Sequence, residues 1–439
     1  MGGGSVTRLS ARSRFQVNGA FGGRGIATIA DMAEFSVDAF AHLYAARTAG
    51  MSASEVRALF AVAARPEVVS LAGGMPYVQA LPHEDVLDVV RSVLAERGSQ
   101  ALQYGGGGGH PGLKERLVAL MAEEGLEADP EHVVVTDGAQ QALDLVAKIF
   151  IDPGDEIVVE APSYVGALSA FSAYEPRFVQ IPLDDEGLVV DELEDALVRG
   201  VRPKFLYTVP NFHNPAGVTM SYSRRERLVA LCREAGVPIL EDNPYGLLRF
   251  EGQPLPTLRS LDPENVIYLG TLSKVFSPGV RIGWALAEPG VVQRLVLVKE
   301  AADLCTSSFM QLVGEQYLSG DRWRRNLTEL VGIYRGRRDA MLEALPQHFP
   351  GEARWTIPAG GFYVWVTLPD YFDTQALLAA AVERRVAYVP GTAFYPDGSG
   401  HDRMRLAFCY PTETDVVEGV RRIGELLADE QALYRSLRP

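Results

Sequence analysis

The feature that most constrains the fold of this chain is a regular alternation of short apolar runs with amphipathic segments between about residues 80 and 275. The apolar runs, such as the one at 133–136, are rich in β-branched residues and have the length of buried strands. Apolar strands separated by helices indicate a mainly parallel sheet with helices on both faces. Because ligands of such sheets bind beyond the carboxyl ends of the strands, the polar residues there form the candidate site.

A second, smaller unit follows. A helical stretch at 311–345 leads into strand-like segments at 360–369, 386–394 and 403–410. We therefore predict a large domain and a smaller α/β domain that is completed by residues from the start of the chain. The predicted boundaries are 81–330 for the large domain, and 31–80 with 331–439 for the small one.

The amino-terminal composition differs from the rest of the chain. Residues 1–30 contain four arginines, no acidic residue and many glycines. This composition predicts a disordered tail, although transit peptides share it.

The overall composition argues against several classes of protein. Hydrophobic residues make up 47% and charged residues 22%, as in ordinary globular proteins, and a formal net charge of −15 argues against a nucleic-acid binder. The three cysteines, Cys232, Cys305 and Cys409, lack CxxC spacing, which fits a reducing compartment and no structural zinc. No apolar run approaches the length of a membrane span. We expect a cytoplasmic protein without a metal, a nucleic-acid partner or a membrane partner.

The segment TLSKVFSPGVRIGW at 271–284 places Lys274 just after an apolar strand. A buried ammonium is costly unless it is paired or neutralised. Arg281 supplies a fork suited to phosphate, and the hydroxyls of Thr271 and Ser273 add donors. An isolated lysine is usually a surface residue, but a lysine beside an anion-binding cluster suggests a Schiff base with an aldehyde cofactor that carries a phosphate.

Other strand ends supply what the ring of pyridoxal phosphate needs. Asp242 follows an apolar strand and can keep the ring nitrogen protonated. Asn214, in PNFHNPAG, and Tyr245, three residues after Asp242, can donate to the ring oxygen. Each of these residues alone is more simply explained as a cap, an ion pair or a turn residue.

The ring face and the phosphate have candidates at two further strand ends. Tyr164 in APSYVG can stack on the ring. Backbone amides at a helix start can hold the phosphate, and the candidates are Gly138, Ala139 and Gln140. Five strand ends that each supply a different part of one site favour pyridoxal phosphate over five unrelated structural roles.

Three segments, PNFHNPAGVTM, EDNPYG and LSKVFSPGVRIGW, resemble the class I/II aminotransferases of the fold-type I pyridoxal-phosphate enzymes. The chain is most similar to the α-aminoadipate/kynurenine aminotransferase branch, and matching segments run from about residue 52 to 411. The resemblance implies an α/β fold: a mainly parallel seven-stranded sheet between helices in the large domain, plus the smaller α/β domain.

The resemblance also implies further site residues. In YGGGGGHPGLK, Tyr104 would reach the phosphate of the neighbouring subunit, which makes the enzyme a homodimer with active sites at the interface. Arg405 would pair with the substrate α-carboxylate, and Gly73 and Gly74 would lie near the substrate. Arg57 would meet an acidic substrate side chain, unless it is a surface residue or part of an ion pair.

The chain departs from the family pattern at two positions. His213 stands where the family often has glutamine, and it adds a titratable group beside the site. Ala139 stands where the family often has serine, so one hydroxyl donor is lost. Aromatic residues at Tyr44, Tyr77 and Phe309 are candidates for a pocket wall, although scattered aromatic residues usually belong to the core.

The resemblance implies an aminotransferase that moves the amino group of an L-amino acid to a 2-oxo acid, with 2-oxoglutarate as the expected acceptor. The donor would be acidic, 2-aminoadipate-like, aromatic or branched-chain. Chemistry would proceed through a Lys274 Schiff base with ping-pong kinetics. A β-lyase, decarboxylase or cyclase of the same fold uses nearly the same cofactor shell and remains the alternative. A ligand-sensing regulator with a helix-turn-helix domain is disfavoured, because the roughly 50 residues before the first family-like helix contain no such helix pair.

Overall fold

The computed structural model of the chain describes residues 40–48 and 67–437. The chain divides into two compact units, residues 1–46 and 47–439. In the first unit the described residues form a 3-10 helix, Ala41–Leu43. The predicted tail at 1–30 and the predicted site residue Arg57 lie outside the described residues.

The strands are β1 (Val69–Ser70), β2 (Val133–Asp137), β3 (Glu156–Ala161), β4 (Arg177–Asp184), β5 (Gly187–Leu188), β6 (Leu206–Thr208), β7 (Ile239–Asp242), β8 (Val266–Thr271), β9 (Ile282–Leu286), β10 (Arg354–Trp355), β11 (Tyr363–Thr367), β12 (Val386–Ala387), β13 (Val389–Pro390) and β14 (Arg403–Ala407). The α-helices are His83–Ala101, Pro111–Ala122, Gly138–Phe150, Val165–Ser172, Val190–Val198, Tyr222–Ala235, Leu258–Leu261, Pro289–Asp303, Ser308–Leu318, Arg322–His348, Leu378–Glu383 and Glu413–Leu437. Other short 3-10 helices are Ala46–Thr48, Val78–Ala80, Pro130–His132, Pro278–Val280 and Gly391–Phe394.

The large sheet of the described residues has the strand order β2-β9-β8-β7-β6-β3-β4-β5. Pairing is parallel from β8 through β7, β6 and β3 to β4, whereas β9 runs antiparallel to both of its neighbours. Seven of these strands form the predicted mainly parallel sheet, and the two-residue β5 extends it at one edge. The predicted α/β class is confirmed.

The central strands are buried along their whole length, which is why they read as continuous apolar runs. Every residue of β7 and β8 is buried, as expected for strands covered by helices on both faces. Their register pairs Asp242 with Leu269. The carboxyl end of β7 therefore lies beside the last residues of β8. This places Asp242 next to the segment that carries Lys274.

A four-stranded antiparallel sheet of order β10-β11-β14-β13 forms the second layer. Residues 69–71 pack beside it: β1 pairs in parallel with β12 in a separate two-stranded sheet, and the Ala407 amide of β14 donates to the Leu71 carbonyl at 2.7 Å. Leu71 belongs to the same apolar cluster as the buried residues of β11, β14 and the last helix. The boundaries at residues 81 and 331 stay a prediction.

The helical stretch predicted at 311–345 is not continuous. It is broken after Leu318, and a new helix begins at Arg322, with Gly320 in the intervening turn. No helix in the ranges 40–48 and 67–437 combines the length and the apolar composition needed to cross a membrane.

Candidate active site

A cavity of about 460 Å³ lies where the carboxyl ends of the central strands meet β11 and β14. Most of the predicted site residues line it: Gly74, Ala139, Gln140, Tyr164, Asn214, Asp242, Tyr245, Thr271, Ser273, Lys274, Arg281 and Arg405. The wall also contains residues that sequence reasoning did not single out, among them Met75, Val165, Val209 and Tyr363. Residues from segments far apart in the chain thus line one cavity.

Lys274 keeps some accessible surface because its side chain faces the cavity, but the walls exclude most of the solvent. Its Nζ lies 5.6 Å from the centre of the Phe362 ring. Burial lowers the pKa of Lys274 to about 8, and the charges of Arg281 and Arg405 act in the same direction. The amine can therefore lose its proton near neutral pH, as a nucleophile or base must.

Asp242, the last residue of β7, is buried beneath the cavity. Its Oδ2 accepts a hydrogen bond from the Tyr207 hydroxyl at 2.9 Å, while Oδ1 is buried without a hydrogen-bond partner among the described residues. Burial raises the pKa of Asp242 to about 7, and the Tyr207 bond and the charge of Lys274 partly oppose this rise. A protonated ring nitrogen at Oδ1 would supply both the missing partner and a stabilising positive charge.

Arg281 lies over the amino terminus of helix Gly138–Phe150. Its Nη2 donates to the Asp137 carbonyl at 2.9 Å. Gly138 has a φ of 73°, and a Cβ built on it would lie 2.3 Å from Arg281 Nη2. Both the backbone conformation and the space therefore require glycine. The guanidinium and the positive end of the helix dipole together favour an anion.

Two hydroxyls are held beside this anion site. The Ser273 backbone N–H donates to Thr271 Oγ1 at 3.1 Å, and the two hydroxyl oxygens lie 2.9 Å apart. Gln140, on the first turn of the helix, donates from its side chain to the Gly166 carbonyl at 2.7 Å. Gln140 is thus fixed by its own side chain, which leaves its backbone for the anion.

Arg405 on β14 is buried and held in a defined orientation. Its Nη1 donates to Asn214 Oδ1 at 2.9 Å and its Nη2 to the Ala72 carbonyl at 2.7 Å. The guanidinium lies 4.2 Å from the centre of the Tyr363 ring. Nε is buried and unpartnered within the part of the chain that the structure describes, so this donor is available to a carboxylate.

Tyr245 and Tyr363 bring two hydroxyls together at the cavity, with their oxygen atoms 3.4 Å apart. Tyr363 also faces the loop that carries Gly74, where a Cβ would lie 1.9 Å from its hydroxyl. The predicted glycine at this position therefore makes room for a protein side chain. The sequence signal that could have identified Tyr363 is its place in the strand-like run at 360–369.

A buried polar network supports the site from behind. Asn243, directly after Asp242, donates to Glu124 Oε2 at 2.8 Å and accepts from the Asn211 side chain at 2.9 Å. Asn211 in turn accepts from the Arg225 guanidinium at 2.6 Å. Burial raises the pKa of Glu124 to about 7. The network ties the end of β7 to the loop after β6.

His213 does not itself line the cavity, although its neighbour Asn214 does. It is buried below the loop, with Nε2 3.0 Å from Glu160 Oε2. Of the aromatic candidates, Tyr77 packs against Arg337, Phe309 packs on a core cluster, and Tyr44 is exposed in the stretch 40–48.

Tyr104 does not line the cavity of its own chain, and 79% of its surface is exposed. Two of the glycines that follow, Gly107 and Gly109, are closely packed. Gly109 has a φ of 105°, and a Cβ there would lie 2.4 Å from the Val135 side chain. The Gly108 carbonyl accepts from the Val135 amide at 3.1 Å. The carboxyl end of the segment is therefore held against β2, whereas Gly105 and Gly106 are exposed.

The donor set fits pyridoxal phosphate. The amino terminus of helix Gly138–Phe150, together with Arg281, suits a phosphate. The buried Oδ1 of Asp242, which has no partner among the described residues, suits a ring nitrogen, and Lys274, with its lowered pKa, suits an aldehyde. Asn214 presents its Oδ1 to Arg405, so its Nδ2 is the end that can donate to a ring oxygen.

The chain matches a family model described as aminotransferase class I and II over residues 66–423. It is 44% identical to aromatic-amino-acid aminotransferase 1 of Thermococcus litoralis, over 88% of this chain and 94% of that protein. Among solved structures, kynurenine aminotransferase of Pyrococcus horikoshii, in complex with PMP, has a TM-score of 0.85 and 42% identity, covering 89% of this chain and 98% of that one. LysN of Thermus thermophilus, an α-aminoadipate aminotransferase complexed with N-(5'-phosphopyridoxyl)-L-leucine, has a TM-score of 0.84 and 36% identity, with coverages of 90% and 99%.

Proposed function

The chain belongs to the class I and II aminotransferases and uses pyridoxal phosphate, and from this premise we propose that its preferred amino donors are aromatic and other large neutral L-amino acids. The observation that carries the proposal is the distribution of charge in the cavity wall. Among the described residues, the cations of the wall are Lys274, Arg281 and Arg405, and each has a task at the cofactor or the α-carboxylate. The rest of the wall includes aromatic and apolar surfaces from Tyr164, Tyr363, Met75 and Val165.

An acidic 2-oxo acid, with 2-oxoglutarate as the expected acceptor, would bind in the same cavity. Its distal carboxylate then needs a cation beyond those of the described wall, and Arg57 is our candidate by family resemblance. One cavity would thus serve a neutral donor through its apolar wall and an acidic acceptor through Arg57. Because both half-reactions use one site, we expect ping-pong kinetics.

Different residues of the chain bind different parts of the cofactor. When bound, pyridoxal phosphate supplies an electron sink for the substrate Cα. Arg281 and the amides of Gly138, Ala139 and Gln140 hold its phosphate, with Thr271 and Ser273 beside them, and Tyr164 stacks on its ring. Asp242 holds the ring nitrogen, and Asn214 and Tyr245 donate to the ring oxygen.

Substrate orientation and proton transfer fall to two residues. Arg405 binds the α-carboxylate, and this fixes the direction of the Cα–H bond. The Lys274 Nζ, neutral in an appreciable fraction near pH 8, is the group that removes the α-proton and returns it. Burial of the amine is therefore part of the mechanism.

We further propose a cytoplasmic homodimer in which Tyr104 reaches the phosphate held by the partner subunit. The exposed position of Tyr104 supports a contact outside its own chain, and Leu102, Leu297 and Leu304 are apolar side chains that are also exposed. The cysteines are unpaired, as expected in a reducing compartment.

The donor proposal is tested by the half-reaction with single amino acids. Holoenzyme is mixed with phenylalanine, tyrosine, leucine, glutamate or 2-aminoadipate, and conversion of the cofactor to pyridoxamine phosphate is followed by absorbance. We expect faster conversion by the neutral donors. Arg57→Ala should slow only the acidic substrates, while Arg91→Ala, at an exposed surface pair, serves as the matched control. Faster conversion by the acidic donors in the wild type would refute the proposed preference.

A further inference from the structure

His213 is held at three atoms within the loop that carries Asn214. Its backbone N–H donates to the Val218 carbonyl at 2.8 Å, and its carbonyl accepts from Gly217 at 2.6 Å. Its ring Nδ1 accepts from the Ala216 backbone N–H at 3.1 Å. An imidazole thus closes the turn that begins with Asn214, although it does not line the cavity.

The two ring nitrogens of His213 have unequal contacts. Because Nδ1 accepts a hydrogen bond, it carries no proton. Nε2 lies 3.0 Å from Glu160 Oε2, within ion-pair distance. Glu160 also accepts from the Thr208 hydroxyl at 2.6 Å and from the Val209 amide at 2.9 Å. The bond from Ala216 to Nδ1 is the one that connects the ring to the turn after Asn214.

The loop is confined on its opposite side as well. Gly217 has a φ of 70°, and a Cβ there would lie 2.5 Å from the Tyr363 carbonyl on β11. In the same sheet, Trp365 of β11 is paired with Arg405 of β14. The loop is therefore held by the His213 imidazole on one side and by β11 on the other.

We propose that His213 is a positioning residue for the reaction: the hydrogen bond from Ala216 N–H to Nδ1 sets the direction of the Asn214 side chain. Asn214 then accepts from Arg405 through Oδ1 and presents Nδ2 to the ring oxygen of the cofactor. The inference rests on the proposed role of Asn214. It assigns to the histidine a function in geometry, with no contact to substrate.

The test compares His213→Asn with His213→Leu, two side chains that branch at the same atom. Asparagine can place Oδ1 where Nδ1 lies and keep the bond from Ala216, whereas leucine cannot. The readout is the pH midpoint of the visible absorbance of the holoenzyme, recorded without amino acid. Loss of a donor to the ring oxygen leaves the cofactor more basic, so His213→Leu should raise the midpoint by about one pH unit. His213→Asn and Glu160→Gln should stay near the wild type.

A double-mutant cycle with Asn214→Ala distinguishes a role of His213 in positioning Asn214 from a purely structural role. If His213 acts through Asn214, His213→Leu adds no further shift of the midpoint in the Asn214→Ala background. Thermal unfolding of each apoenzyme verifies that the variants are folded. Additive shifts, or equal midpoints for His213→Asn and His213→Leu, would overturn the inference. Because no amino acid is present, these outcomes are independent of the proposed donor preference.

Discussion

Arg405 and Asn214, 191 positions apart in the chain, are joined by a hydrogen bond of 2.9 Å between Nη1 and Oδ1. Arg405 comes from the small antiparallel sheet, and Asn214 from a loop after a strand of the large sheet. If Arg405 binds the substrate carboxylate and Asn214 the cofactor ring oxygen, this hydrogen bond links the residue that binds the substrate to the residue that stabilises charge on the cofactor ring.

Replacement of Arg405 by lysine should lower kcat/KM for every amino donor by about 100-fold, because one ammonium cannot reproduce the contacts to Asn214, Ala72 and a carboxylate. Cofactor content should be unchanged. The measurement is the single-turnover rate against amino acid concentration. Arg403→Lys, two residues away on the same strand, is the control and should have little effect.

Uptake of pyridoxal phosphate by the apoenzyme should accelerate with pH around a midpoint of about 8. Only the neutral Lys274 amine can add to an aldehyde, and burial lowers its pKa to about 8. At pH 8 about half of the amine is neutral, against roughly 0.3% for an ordinary lysine. Stopped-flow absorbance measures the rate.

Two substitutions should move this midpoint in opposite directions. Arg405→Leu removes a neighbouring cation that lowers the pKa of Lys274 and should shift the midpoint upward. Asp242→Asn removes a carboxylate that raises the pKa of Lys274 and should shift it downward. A midpoint near 10 in the wild type would show that the lysine is not in the low-polarity setting described above.

Gly138→Ala should weaken cofactor binding far more than Gly125→Ala. Both glycines have a φ near 73°, so both alanines incur a similar backbone cost of about 1 kcal/mol. A Cβ at Gly138 would lie 2.3 Å from Arg281, whereas one at Gly125 meets nothing within 4 Å. Titration of each apoenzyme with pyridoxal phosphate gives the Kd. Equal losses of affinity would argue against Arg281 as a phosphate ligand.

Mixed dimers test the proposed role of Tyr104. A subunit with Lys274→Ala and a subunit with Tyr104→Ala together contain one site with an intact lysine and an intact partner tyrosine. Statistical mixing should then restore about a quarter of the wild-type site density. If Tyr104 acts within its own subunit, or does not act at all, the mixture shows only the average activity of its parents.

Most of the residues that line the cavity could be predicted from the sequence because each part of pyridoxal phosphate requires a particular type of side chain at a strand end. Asp242 and Lys274 carry charges that are costly where little solvent reaches them unless they are paired or neutralised. Tyr207 could not be predicted in this way. It lies within an apolar strand, and its contact with Asp242 depends on a neighbouring strand whose register the sequence does not reveal.

Three strands of the large sheet, β4, the two-residue β5 and β9, do not fit the strand–helix alternation of the sequence. Strand β4 has mixed polarity and contains Pro182, as is common near a sheet edge. Strand β9 follows Arg281 directly and runs antiparallel, so it does not belong to the strand–helix alternation that reveals the other strands. Irregular polarity and reversed direction are what periodicity arguments miss.

The length of the loop at 105–109 determines where Tyr104 lies relative to β2. Its carboxyl end is anchored to β2 through Val135, and its amino end carries Tyr104 outward. In an extended chain, one inserted or deleted residue moves a side chain by about 3.3 Å, more than the length of a hydrogen bond. If Tyr104 reaches the partner subunit as proposed, an insertion or deletion in this loop should displace its hydroxyl from that contact, so the number of residues in the loop matters as much as their identity.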